Sequence, residues 1–156
     1  MKIRLSRSVT IAALTLAAAG CVHAEIAMSG KVSQIFEFGN DGHGIVRDVK
    51  VHYGSLVIPS GTAHSEFDPN HMTPVSEAWN AVIPESAEIH WVSADGKTHN
   101  VTAPIRSFVH QPSCFDGFRF MFVDDHVDLY VISRKGDCTK LFDVKTTKVF
   151  SSKREQ

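Results

Sequence analysis

The sequence predicts an all-β fold, an antiparallel β-sandwich or open barrel of about eight strands with one long irregular loop. Three observations carry that expectation. Beyond the first 24 residues no helical period persists for more than a turn or two, while apolar and polar residues alternate along most of the chain. Turn signals rich in glycine, asparagine and aspartate interrupt the alternation at short intervals. One stretch, Pro59 to Ser86, departs from the pattern and carries four prolines.

The elements follow in chain order. Lys31 to Phe38 places Val32, Phe36 and Phe38 on one face. The turn residues Gly39 to Gly44 lead into Ile45 to Val57, where Val49, Val51 and Tyr53 face away from Asp48, Lys50 and His52, so the two runs read as a β-hairpin. Within the long loop, Ser76 to Asn80 reads as one helical turn capped by Ser76. Glu88 to Ser93 and Thr98 to Ala103 flank Asp95-Gly96, the strongest short hairpin signal in the chain. Ile105 to Val109 is a short strand candidate. Phe118 to Val123 is apolar on both faces apart from Arg119, as a central strand would be. Asp124-Asp125 turns it into Val127 to Ser133, and Lys135-Gly136-Asp137 turns again into Cys138 to Val149.

The N-terminus has the make-up of an export signal over residues 1–24, leaving 25–156 as a single β-rich domain. Lys2, Arg4 and Arg7 precede an apolar run, Val9 to Ala19, that is too short to span a bilayer. Val22-His23-Ala24 then offers a small-residue cleavage site. A second route reads Ala18-Ala19-Gly20-Cys21 as a lipoprotein signal, with Cys21 becoming the lipidated first residue and Ala18 standing where a larger aliphatic residue is usual. Either route predicts a periplasmic protein, the second one anchored to a membrane by lipid.

Loss of the signal would move the formal charge from −1 to −4, because it removes those three basic residues and no acidic ones. With no basic stripe remaining, nucleic acid is not an expected partner. Cys114 and Cys138 survive either processing route, and in an oxidising compartment they are expected to pair. No base or electropositive setting near either thiol suggests a nucleophile instead.

The long loop contains His64, Glu66, Asp68 and His71. In an extended chain 64, 66 and 68 share a face, and an Asp68-Pro69-Asn70-His71 turn would bring His71 back beside Asp68. Such a set is chemically acceptable for zinc or another transition metal. The plainer alternative is a polar loop anchored by Phe67, since H-x-E-x-D-x-x-H matches no ligand spacing tied to a known element. His43, His52, His90, His99, His110 and His126 are scattered over turns and polar strand faces, where they would make binding sensitive to pH near 6. Asp124, Asp125 and Asp128 form a small acidic cluster that reads as a solvated turn before it reads as an acid–base pair. The calcium-loop spacing, the phosphate-binding loop and the serine-hydrolase elbow are all missing.

Residues 72 to 109, "MTPVSEAWNAVIPESAEIHWVSADGKTHNVTAPIRSFV", resemble small exported proteins and lipoproteins of proteobacteria, some of which are immunity proteins against type VI secretion effectors. Pro84, Ile89, Trp91, Ser93-Ala94-Asp95-Gly96, His99 and Ile105-Arg106 carry the resemblance. It implies a protein-binding or inhibitor domain with no cofactor, whose partner is a secreted effector. The expected contact surface comprises His64, Glu66, Phe67, Asp68 and His71. A metal-binding protein using the same loop is the alternative, followed by a structural accessory that binds an envelope protein. An enzyme ranks last, since no nucleophile–base pair is legible.

Overall fold

A computed structural model describes residues 30–60, 66–69, 77–136, 138 and 143–153. The expected export segment 1–24 with Cys21, the expected cap Ser76, and His64 and His71 lie outside the described residues. Two sheets pack face to face as a sandwich that does not close into a barrel. The first sheet holds β1 (Val32–Asn40), β4 (Glu77–Ala81), β7 (Phe115–Val123), β8 (His126–Arg134) and β9 (Val144–Ser151), in the order β4-β1-β7-β8-β9. The second holds β2 (Arg47–Tyr53), β3 (Leu56–Ile58), β5 (Ala87–Val92) and β6 (Thr98–Ala103), in the order β3-β2-β5-β6.

Alternation placed most side chains correctly. Val49, Val51 and Tyr53 are buried while Asp48, Lys50 and His52 are exposed. The apolar run of β7 sits at the centre of its sheet, and Asp95-Gly96 turns β5 into β6. Phe36, Phe38, Phe118, Phe120 and Phe122 meet Trp91, Tyr53 and Ile89 between the sheets. Phe38 stacks on Phe120 with ring centroids 5.4 Å apart.

Pairing departs from expectation in several places. β1 and β2 form no hairpin: β1 lies between β4 and β7, and β2 pairs with β3 and β5 in the other sheet. The chain crosses between layers at residues 41–46, so its turn chemistry serves a crossover. β1 and β7 run parallel, with Ile35 opposite Gly117 and Asn40 opposite Phe122, the one departure from antiparallel pairing among the described strands. Ile45 to Val57 is itself a hairpin, broken at Gly54, whose φ of 62° turns β2 into β3.

Residues 77–81 are a strand and not a helical turn, because β1 offers an open edge and Trp79 packs partly buried on the core opposite Gln34. The strand expected at Ile105 to Val109 is a 3-10 turn over Arg106–Phe108. Ser107 Oγ donates to Pro104 O at 2.7 Å, and the Arg106 guanidinium donates to Ile83 O, which hold the segment curled.

Cys114 and Cys138 form the expected disulfide, with Cα atoms 4.8 Å apart. Closing that loop stabilises the fold by about 3–4 kcal/mol in the chain-entropy treatment. Asp128 leaves the acidic turn cluster. It lies on β8, is buried to 6% exposure and takes a 2.5 Å ion pair from Lys148.

Candidate functional site: an acidic loop pole

Four segments meet at one end of the sandwich: residues 41–45, 66–68, the β5–β6 turn and the β7–β8 turn. Asn40, fully buried, is the clasp. Its Nδ2 donates to Gly44 O and to Phe67 O, both at 2.8 Å, and its Oδ1 accepts the Gly42 N–H at 2.9 Å. Three backbone groups from two loops therefore end on one side chain, which satisfies donors and acceptors that burial would otherwise strand.

Phe67 completes the clasp. Val46 and Phe67 exchange both backbone hydrogen bonds, at 3.0 and 2.9 Å. The Phe67 ring stacks on Phe38 and Phe122, with centroids 5.9 and 6.4 Å away. It anchors the loop as the sequence suggested, with 4% exposure.

The 41–45 loop is packed against both hairpin turns. A Cβ on Gly44 would come within 2.2 Å of Ala94 Cβ, and one on Gly42 within 2.7 Å of Asp124 N. Those positions admit only glycine because the segments approach so closely. Asp124 Oδ1 accepts the His43 N–H at 2.8 Å, and its Oδ2 lies 3.0 Å from His43 Nδ1. The hydrogen bond to Asp124, reinforced by its charge, raises the His43 pKa. The His43 backbone N–H, then its ring, holds the Asp124 carboxyl below its ordinary value.

The surface so assembled is acidic. Asp41, Glu66, Asp68, Asp95, Asp124 and Asp125 are all exposed on these segments, which supply one lysine, Lys97. Lys97 is tied to Asp95 at 2.5 Å and lies within the field of Asp125. Glu66 faces Arg47 at 3.5 Å on the exposed surface. A carboxylate excess on rigid turns produces a negative potential that reaches about a Debye length, roughly 8 Å, into physiological saline.

One arrangement here invites a catalytic reading. Ser93 Oγ lies 2.8 Å from His99 Nε2 and 2.6 Å from Asp95 Oδ1. The hydroxyl has one proton, and the Asp95 carboxylate oxygen and Lys97 O, at 3.2 Å, are both acceptors for it. Ser93 therefore donates to Asp95, and His99 Nε2–H donates to Ser93. That direction is the reverse of a general base drawing a proton from a nucleophile. Ser93 is 5% exposed and His99 stacks on Trp91 at 4.7 Å, so the group locks the β5–β6 hairpin.

Of the expected ligand set, Glu66 and Asp68 stand exposed at the pole, while His64 and His71 are outside the described residues. Among the described residues no three His, Cys, Asp or Glu side chains are placed to hold a metal ion. His52 and His90 lie on the outer face of the second sheet, with His90 Nδ1 2.9 Å from Asn100 Oδ1. Sequence reading missed buried Asn40 and exposed Asp41, His43 and Lys97 as parts of one site. The run G-N-D-G-H-G was the available signal, since two glycines in a short loop mark close approach as well as turning.

The chain matches no protein-family model, no curated protein and no solved structure.

Proposed function

We propose that this chain is an exported protein-binding domain of the inhibitor type, in its most concrete form an immunity protein that blocks a secreted effector through the acidic loop pole. One observation carries the reading: Asn40 and Phe67 lock the 41–45 and 66–68 loops together, His43 ties them to the β7–β8 turn, and exposed carboxylates stand on that frame. Loops fixed on a rigid scaffold lose little entropy on binding, and a single-sign face steers an oppositely charged partner. The Cys114–Cys138 bond accords with an oxidising compartment such as the periplasm, and the resemblance over residues 72 to 109 supports the immunity role. The partner would present a basic face.

The test is capture of partners by the mature, oxidised protein from its own envelope and from the secreted proteins of competing cells. The binding rate is then compared with a variant carrying Asp41→Asn, Asp68→Asn and Asp125→Asn. The reading expects association to slow by about tenfold and to lose much of its salt dependence. A partner bound at an unchanged rate would remove the pole from the interface. A resident envelope protein as the captured chain would replace the immunity role with an accessory one.

A further inference from the structure

A second surface lies at the end of β8 away from the acidic pole. The segment Phe108 to Gln111 faces β8 and β9 across a groove of about 540 Å³, a volume that suits a small ligand. Its apolar lining is Phe108, Val109, Phe115, Val131 and Val149. Phe115 and Val131 are buried. Phe108, Val109 and Val149 pack on the core only in part and leave apolar surface open to the groove.

Strand register puts the polarity of this lining in order. One row across the sheet runs Phe115, Ser133, Lys145, and the next runs Phe118, Val131, Thr147. Each row begins with an aromatic ring on β7 and ends with a polar side chain on β9. The groove therefore passes from rings and methyls at its depth to the Ser133 and Thr147 hydroxyls and then to the exposed Lys145 ammonium. From Lys145 to Val149 the strand covers about 13 Å, and at the Val149 end Phe108 meets Phe150 with ring centroids 6.3 Å apart. Arg134 and Lys135 are already paired with Asp116 and Asp143, so recognition of an anion falls to Lys145 and to Ser133 opposite it.

We propose that this groove binds a single-chain alkyl carboxylate of medium length, with its chain against Phe108, Phe115, Val131 and Val149 and its head at Lys145 and Ser133. Burial of methylenes supplies the affinity, and the ammonium beside a hydroxyl selects the anionic head. This site is independent of the acidic pole, so the failure of either leaves the other standing.

The experiment titrates the mature, oxidised protein with decanoate, octanoate and decan-1-ol, each below its micelle-forming concentration, and follows amide and methyl signals by NMR. The proposal expects decanoate to saturate at one per chain below millimolar concentration, with shifts at the Val109, Val131, Thr147 and Val149 methyls. Octanoate should bind about tenfold weaker, since each buried methylene is worth about fourfold. Lys145→Gln should weaken decanoate about three- to fivefold, the span of an exposed charge pair, and leave decan-1-ol unchanged. The proposal is overturned if decanoate shifts nothing at millimolar concentration, if decan-1-ol binds the native protein as tightly, or if the shifts fall elsewhere. Contacts from residues 139–142 to the same methyls in the free protein would give the groove to the chain itself and overturn it. Binding to phosphatidylglycerol vesicles without binding of free decanoate would make the surface a membrane contact and likewise overturn it.

Discussion

Asn40→Asp is the sharpest probe of the loop clasp, because it changes one NH₂ to an oxygen and leaves the shape unaltered. In the native protein Nδ2 donates to Gly44 O and Phe67 O, and Oδ1 accepts from Gly42 N. The substitution removes both donors and leaves two carbonyls facing an anion in a site with no exposure. Two lost hydrogen bonds are worth about 1 kcal/mol each, and stranding two carbonyls near a buried charge adds about 1–3 kcal/mol more, for a total of about 3–5 kcal/mol at pH 7. That is a large share of the roughly 5–15 kcal/mol that holds a typical domain folded.

The deficit also has a pH signature. Burial without donors raises the folded pKa of the new carboxyl above its unfolded value near 3.9, so the neutral form is the one the fold tolerates. A protonated carboxyl restores one donor. The difference from the native protein should therefore be smallest below about pH 4, where one of the two donors is restored, and grow as pH rises through the folded pKa. Urea unfolding of both proteins at several pH values, with the disulfide intact, measures it. A deficit under about 1 kcal/mol at pH 7, or one that stays flat with pH, would refute the clasp.

Two further outcomes are expected. In an NMR titration His43 should show a midpoint above its ordinary 6.5, and Asp124→Asn should bring it down; a midpoint indifferent to that change would break the pairing. The raised His43 value contributes stability below about pH 6.5 that fades as pH rises through it. The lowered Asp124 value contributes above about pH 4 and fades as pH falls through it, so the pair supports the fold best between those limits. Tyr53→Phe should cost about 1–3 kcal/mol in urea unfolding, because the Tyr53 hydroxyl donates to Gln34 Oε1 at 2.5 Å between two buried residues and its loss strands that oxygen; a change under about 0.5 kcal/mol would show the contact to be idle.

Much of the strand content was legible because strand alternation is a local property. The faces of β2, the β5–β6 hairpin and the buried centre of β7 all follow from residues within a few positions of one another. The Cys114–Cys138 pair was legible for another reason: once the N-terminus is read as an export signal, two remaining cysteines have little choice of partner.

Part of the candidate site was legible too. Phe67 stood out as an apolar anchor in a polar loop, and Glu66 and Asp68 as residues flanking it. Asn40 did not, because nothing in G-N-D-G-H-G says that its amide will reach Phe67 O, 27 positions away. Turn residues are shared by hairpins and crossovers, so the same letters were read as the wrong connection.

By itself the sequence determined the fold class, the inward and outward faces of most strands, and the anchoring role of Phe67. These depend on side-chain polarity at a period of two, and that signal survives without knowledge of neighbours. Only the tertiary structure decided which strands pair, that β1 runs parallel to β7, that residues 77–81 complete an edge, and that Asn40 and Phe67 bring distant loops together at one end. Those outcomes depend on which distant backbone groups satisfy one another once buried. Hydrogen-bond pairing has no sequence period, so it becomes visible only when the chain has closed on itself.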